Sequence, residues 1–412
     1  MGQTPLVYDV IVAGAGPAGA SAAYFLGQAG KRVLVLEKEK LPRYKACGGG
    51  VSTRFLESQF PFSFDPVVES RVTEMSYTFA GRTVTIPCEG GGLAMVMREE
   101  LDAYILSHAR VDVKDGRTIR RVEESTDKVI VETKNDERYE AAYLIGADGT
   151  NSVVAHAVDT QRVRRNFPAI EVEAAVSQDL MEHYRSRPLF IFGKIRWGYL
   201  WIFPKAEHLS VGVATLHPQP GQLQATLRKV MAEYGINIDG APLHGHLLPL
   251  YTPSQPVMTR RILLAGDAAG VVDPLSGEGI RPAIRSGRMA AQAILSDKVQ
   301  DYTAQIRRVF GFEQRMSLLA AKIFYRLETL CLRLGAPNPF TTRAIMDVLA
   351  GEAGGFSVMG WALITLPFYI ILEVVAGLAR LIAGATPAER LRRWAYGGSV
   401  PCIEFERPGP EN

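Results

Sequence analysis

Tyr8-Asp9-Val10-Ile11-Val12-Ala13-Gly14-Ala15-Gly16-Pro17-Ala18-Gly19 decides the fold. An apolar run of strand length, residues 8–13, meets three closely spaced glycines, and an Ala-rich helical segment runs from about Ala18 to Ala29, with Gly30 as its stop. Each glycine has a task in such a strand–turn–helix unit. Gly14 permits the tight turn, Gly16 lets backbone approach a pyrophosphate, and Gly19 lets the helix pack close to the sheet. The phosphates would meet the free N–H groups of the helix start, which Pro17 opens and Ala18 and Gly19 continue. Residues 32–37 (RVLVLE) read as a second, continuously apolar strand of a parallel sheet covered on both faces. Glu37 ends it, where a carboxylate accepts hydrogen bonds from a ribose, and Lys38 follows in the same cofactor-binding set. The plainer reading of Glu37 is a solvated acid at a strand end. In context, the unit predicts dinucleotide binding.

The whole chain is consistent with an ordinary globular enzyme. It has 412 residues, 47% hydrophobic and 22% charged. That excludes a disordered chain, a collagen-like fibre and a polytopic membrane protein. Lys+Arg 46 against Asp+Glu 43 gives a net charge of +3, with no basic block, so nucleic acid is not an expected partner. Cys47, Cys88, Cys331 and Cys402 form no C-x-x-C pair, so neither a disulfide scaffold nor a metal site is expected. The N-terminus shows no signal-peptide pattern, and the expected location is cytoplasmic, with reduced thiols.

Outward from the first unit, the pattern alternates between sheet and helix. Ser76–Phe79 and Thr83–Ile86 read as short strands, 98–109 as a helix, 118–123 and 128–133 as a hairpin, and Tyr143–Gly146 as a strand. Residues 170–215 are strand-rich, a helix follows near 221–234, and 262–265 with 279–294 forms another βα unit. The expected fold is α/β (α+β overall). A discontinuous Rossmann-like domain with a parallel sheet (1–75, 95–165 and 255–300) would be interrupted by a β-rich substrate domain (76–94 and 166–254). Residues 301–412 would form a C-terminal helical region.

Two further motifs bear on the ligand. Gly146-Ala147-Asp148-Gly149 ends a strand, and Leu264-Ala265-Gly266-Asp267-Ala268-Ala269-Gly270 leads through Asp273-Pro274-Leu275-Ser276-Gly277-Glu278-Gly279 into a helix beginning at Ile280. A carboxylate at Asp267, beside small residues, suits the hydroxyls of a polyol chain, and the helix start favours negative charge on a flat ring. In this order the motifs resemble the FAD-binding fold shared by aromatic-ring hydroxylases, flavin halogenases and geranylgeranyl reductases, over about residues 8–295. The resemblance implies FAD, with Glu37 at the adenosine ribose, Asp267 at the ribityl chain and Arg98 at the phosphates or ribityl. Asp148, Gly266, Gly277, Gly279 and Ile280 complete the cofactor-binding set.

Pro42-Arg43-Tyr44-Lys45-Ala46-Cys47-Gly48-Gly49-Gly50 resembles the segment that marks the geranylgeranyl reductase family among these flavoproteins. Its glycines let bare backbone lie against a large ligand. The resemblance puts Cys47 at the substrate side of the flavin, with Gly48 and Gly49 beside the cofactor. Trp197-Gly198-Tyr199-Leu200-Trp201-Ile202-Phe203-Pro204-Lys205 resembles the family's G-Y-x-W-x-F-P-K strand. Tyr199, Trp201 and Phe203 share one side of that strand, either as substrate wall or as sheet core. Where archaeal members carry two adjacent glycines after it, this chain has only Gly212. The implied reaction is reduction of isolated prenyl double bonds, with hydride from reduced flavin and a proton from Cys47, since a cysteine thiol is largely protonated at neutral pH. The alternatives are a flavin monooxygenase or halogenase acting on an aromatic or quinone substrate, and a flavin-bearing lipid carrier. NADPH or ferredoxin is the expected electron donor, and a prenyl lipid or prenylated pigment the expected substrate.

Phe356–Leu372 (FSVMGWALITLPFYIIL) has no charged residue over its 17 positions. As a helix it is about 26 Å long, short of a hydrocarbon core of about 30 Å. Arg380, Arg390, Arg392, Arg393, Trp394 and Tyr396 follow. Residues 356–396 therefore read first as a peripheral or monotopic anchor at the cytoplasmic membrane face, then as a buried helix or tunnel wall, then as a true span.

Overall fold

The computed structural model describes residues 7–88, 92–158, 165–252, 256–331 and 355–383, together with Asn338, Thr341 and Ala344. The chain divides into two units. The first gathers Met1–Ala46, Met97–Pro168 and His246–Leu318, and the second Cys47–Val96, Ala169–Gly245 and Leu319–Asn412.

The first unit is built around the opening strand, Tyr8–Ala13, whose last four residues are buried. It pairs in parallel with Val33–Leu36 on one side and Arg138–Gly146 on the other, with Val12 opposite Val35 and Ile145. Asp112–Lys114 extends the sheet beyond Val33–Leu36, and Ile262–Leu264 adds a further parallel strand on Arg138–Gly146. The predicted hairpin, Ile119–Glu124 and Val129–Thr133, runs antiparallel onto Arg138–Gly146. The α/β class and the parallel strands are as expected, and the antiparallel hairpin makes the sheet mixed.

The turn opens the helix Pro17–Gln28, which lies against the helix Ile280–Leu295. Main chain meets main chain at their crossing. A Cβ at Gly287 would fall 2.1 Å from the Ala18 carbonyl oxygen, and one at Gly266 would fall 2.9 Å from the Ala18 Cβ. The Ser21 hydroxyl donates to the Ile284 carbonyl at 3.0 Å, across the same contact.

The second unit is organised by an antiparallel run of strands. Gly198–Pro204 pairs with Leu209–Thr215, which pairs with Arg165–Ala174 over residues 169–174. On its other edge Gly198–Pro204 pairs with Leu189–Ile191, and the hairpin Glu74–Phe79 with Arg82–Pro87 continues the sheet. Strand alternation divides the sheet's faces. Leu189, Ile191, Leu200, Ile202, Val211 and Val213 form one core with Tyr184 of the helix Gln178–Tyr184 and Leu227, Val230 and Met231 of the helix Gln222–Glu233. Tyr199, Trp201 and Phe203 occupy the other face, so they are not part of that helix-covered core. A smaller sheet joins Gly50–Ser52, Leu93–Val96 and Val68–Arg71.

The C-terminal apolar stretch is the helix Gly355–Ala383, with Pro367 inside it. Ile364, Phe368, Ile371, Val375, Leu378 and Ile382 recur at alternating spacings of four and three, and all are exposed, Phe368 by 73% and Ile382 by 84%. Thr365 and Tyr369 are buried. Among the described residues no helix is long and apolar enough to cross a membrane. Arg390, Arg392, Arg393, Trp394 and Tyr396 lie outside the described residues.

The helix crossing gives a stability test. Gly287→Val pushes a branched side chain into the Ala18 carbonyl and should cost about 3 kcal/mol or more. Thermal unfolding measures it. An unchanged melting temperature would show that the two helices do not need their close approach.

Candidate active site

In the first unit the glycine turn is a cradle for an anion. Gly14 has φ +95°, and a Cβ there would fall 2.4 Å from the Ala147 carbonyl oxygen. A Cβ at Gly19 would fall 1.9 Å from the Gly14 carbonyl oxygen. Only glycine satisfies both. Glu37 is buried, not solvated. Its Oε2 accepts the Ala15 N–H at 2.8 Å and its Oε1 accepts the Glu39 N–H at 3.1 Å, so it braces the turn from the next strand. Lys38, beside it, is exposed.

Two guanidinium groups stand at the helix start. A Cβ on Gly16 would lie 3.6 Å from Arg43 Nη2 and 3.8 Å from Arg98 Nη2. Both arginines converge on Asp102, which is 1% exposed: Arg98 donates to it at 3.0 and 2.9 Å, and Arg43 at 3.2 Å. Arg43 Nε also lies 3.5 Å from Glu37 Oε2. Arg43 Nη1 is buried with no hydrogen-bond partner. A buried guanidinium N–H left unpaired is costly, and a phosphate or hydroxyl oxygen at the helix start would answer it.

Asp267 lies in the turn after Ile262–Leu264. Its Oδ2 is 3.2 Å from His246 Nε2 and accepts the Thr150 hydroxyl at 3.4 Å. Lys45 Nζ lies 2.8 Å from His246 Nδ1. Burial pulls the Asp267 carboxyl upward, but the hydrogen bond and charge of His246, with Lys45 and Arg98 beyond, hold it below the usual carboxylate value. Asp267 is thus an anion in a basic surround. Gly279 caps the helix Ile280–Leu295, and a Cβ there would lie 3.8 Å from Asp267 Oδ1. Gly266 (φ +60°) and Gly277 (φ +71°) shape the turns on either side, and Ile280 is buried. Asp148 turns away into its own helix: it accepts the Ser152 hydroxyl and the Val154 N–H, and burial raises its carboxyl.

Cys47, Gly48 and Gly49 belong to the second unit. There they lie on the end of the strand Gly198–Pro204. A Cβ at Gly48 would fall 2.8 Å from the Phe203 ring and 3.2 Å from Trp201 Nε1. Gly49 has φ +71°. The Gly49 N–H points to Cys47 Sγ at 3.4 Å, and Glu171 Oε1 accepts the Cys47 N–H at 2.8 Å. Trp201 and Phe203 continue into a run of rings. Phe203 meets Phe190 edge-on at 5.0 Å, Phe190 reaches Tyr199 at 5.7 Å and Tyr77 at 5.7 Å, and Phe192 reaches Tyr199 at 6.0 Å and Phe324 at 5.5 Å. Gly212, directly opposite Trp201, makes this possible: a Cβ there would fall 2.1 Å from the indole. One glycine at that position therefore has a packing reason of its own.

Sequence reading missed Arg43, Asp102, Thr150, Glu171 and His246. Each has a partner distant in the sequence, from 21 residues for His246 and Asp267 to 201 for His246 and Lys45. Arg43 and Lys45 were visible only as letters of the P-R-x-K-x-C-G-G segment.

The family described as FAD binding domain matches residues 7–193. Geranylgeranyl diphosphate reductase of Rhodobacter capsulatus is 31% identical over 309 residues, covering 70% of this chain and 75% of that protein. Menaquinone reductase of Mycolicibacterium smegmatis is 29% identical over 347 residues, covering 76% and 84%. The crystal structure of a geranylgeranyl bacteriochlorophyll reductase-like protein from Thermoplasma acidophilum superposes with a TM-score of 0.73 at 20% identity, covering 89% of this chain and 98% of that one. The cofactor is FAD, and the helix-start cradle with its unpaired Arg43 nitrogen fits it.

Arg43→Lys tests that fit while keeping the charge beside Asp102. It removes the forked donor, so the Kd for FAD should rise about tenfold, or about 1.4 kcal/mol. Quenching of flavin fluorescence reads it, and an unchanged Kd would take Arg43 out of the cradle.

Proposed function

Because the chain belongs to the geranylgeranyl reductase family of FAD-dependent oxidoreductases, we propose that it saturates isolated C=C bonds of a geranylgeranyl-type prenyl chain. The observation that carries the reading is the Cys47 loop, whose bare Gly48 backbone lies on an aromatic sheet face. Relatives named for prenyl reduction and for menaquinone reduction support a lipid substrate, such as a prenylated pigment, a prenyl lipid or a quinone tail, over the oxygenase alternative.

In this reading Gly14, Gly16, Gly19, Glu37, Arg43 and Arg98 hold the dinucleotide, and Asp267 takes the ribityl hydroxyls. Reduced FAD supplies the hydride, its electrons coming from NADPH or a ferredoxin. The protein's own task is to place the alkene, exclude water and deliver a proton to the second carbon. Tyr199, Trp201 and Phe203 wall the prenyl chain, since that face offers apolar rings rather than polar groups. Cys47 delivers the proton, and the Gly49 N–H supports the sulfur it leaves behind.

A lipid substrate fits the exposed face of the helix Gly355–Ala383. Ile364, Phe368 and Ile371 rest on the membrane surface at its cytoplasmic side, with the helix lying in the interface rather than across it.

Cys47→Ala should retain FAD and lose alkene reduction by about 100-fold or more, the usual weight of a positioned general acid. Product mass reads the reaction as a gain of two hydrogens per bond. Full turnover in that variant removes Cys47 from the mechanism, and a gain of oxygen instead removes the reductase reading. The combined change of Ile364, Phe368 and Ile371 to Glu should release the full-length protein from sedimenting phospholipid vesicles. Undiminished sedimentation would take this helix face off the membrane.

A further inference from the structure

Lys205 is the residue of this site whose placement needs most explanation. A lysine is almost never fully buried unless paired, yet Lys205 is 2% exposed. It follows the strand Gly198–Pro204, and its Nζ donates to the Gly48 carbonyl at 2.9 Å and the Val96 carbonyl at 2.8 Å. Val96 in turn donates its N–H to the Gly49 carbonyl at 2.9 Å. A Cβ on Gly49 would fall 2.4 Å from that Nζ. The ammonium therefore lies directly against the backbone that follows Cys47.

We infer that Lys205 is the positioning residue of the Cys47 loop: it pins the Gly48–Gly49 backbone and stands as the counter-charge to the sulfur when Cys47 gives up its proton. The step balances. The S–H bond breaks and a C–H bond forms at one alkene carbon, the other carbon takes the hydride, and the sulfur keeps the electron pair until solvent returns a proton. Neutral donors would satisfy the two carbonyls equally well. A charge in so dry a place calls for negative groups beside it. The groups facing it are Cys47, Glu173, Glu171 and Glu69. Burial pushes the Lys205 ammonium down, and the negative charges of those four oppose it, that of Cys47 first among them.

The inference rests on Cys47 as proton donor, and the test separates the two. In the full-length, FAD-loaded, oxidised protein, alkylation of Cys47 by iodoacetamide is followed by peptide mass across pH, with Cys88 and Cys331 as internal references. Lys205→Gln keeps two N–H donors and removes the charge, and Lys205→Met serves if the glutamine variant does not fold. Either should slow Cys47 alkylation about tenfold near neutral pH, with the difference closing at high pH, where the Lys205 ammonium itself loses its proton. The reference cysteines should not move. Lys205→Arg should recover most of the rate. Alkylation indifferent to the Lys205 charge overturns the inference, even if Cys47→Ala abolishes reduction. If Cys47→Ala keeps full reduction while Lys205→Gln still slows alkylation, the proton-donor reading falls and the pairing stands.

Discussion

Main chain packed against main chain, at positions where no side chain fits, is the constraint on which the nucleotide unit depends. Gly14 and Gly19 make one such contact within the turn, and Gly287 makes another between the helices Pro17–Gln28 and Ile280–Leu295. Together they fix the helix start relative to the sheet. Glu37 is then placed to accept the Ala15 N–H, and Arg43 and Arg98 to meet over Gly16. An anion-binding helix end is common to many proteins. What is particular here is that two arginines and their shared Asp102 are assembled around it.

The same device serves a different end in the second unit. Gly48, Gly49 and Gly212 also mark places where a Cβ would collide, but they make room for rings and for an ammonium rather than for a phosphate. The sheet there is two-sided in character. One face is aliphatic and covered by helices, and the other is aromatic and carries the cysteine loop at its end. A surface that is apolar, broad and rigid suits a flexible hydrocarbon chain, because ring stacking holds the wall in place without demanding a fixed polar partner from the ligand.

Local features of both units were legible in the sequence. Strand Tyr8–Ala13, helix Pro17–Gln28, strand Gly198–Pro204 and helix Ile280–Leu295 fall within a residue or two of their expected positions, because each is announced by a continuous apolar run, an alternation or a glycine boundary. The alternation of Tyr199, Trp201 and Phe203 gave their common side but not which side the core lay on. That required the helices Gln178–Tyr184 and Gln222–Glu233 to be placed. Partnerships across the chain were not legible. Nothing near Arg43 announces Asp102, nothing near Asp267 announces His246, and a lysine at a strand end is by default read as solvated. The expected boundary near residue 75 followed a change of pattern, whereas the chain passes between the two units at Ala46 and Cys47, in the middle of one motif.

The threading of the first unit has a consequence for how the protein is made. The helix Pro17–Gln28 leaves the ribosome about 250 residues ahead of the helix it lies against, Ile280–Leu295. At about 5–20 residues per second, the wait between them is on the order of tens of seconds. During that interval the nascent helix lacks the partner that packs over it, so the close main-chain contact is completed only when Gly287 arrives.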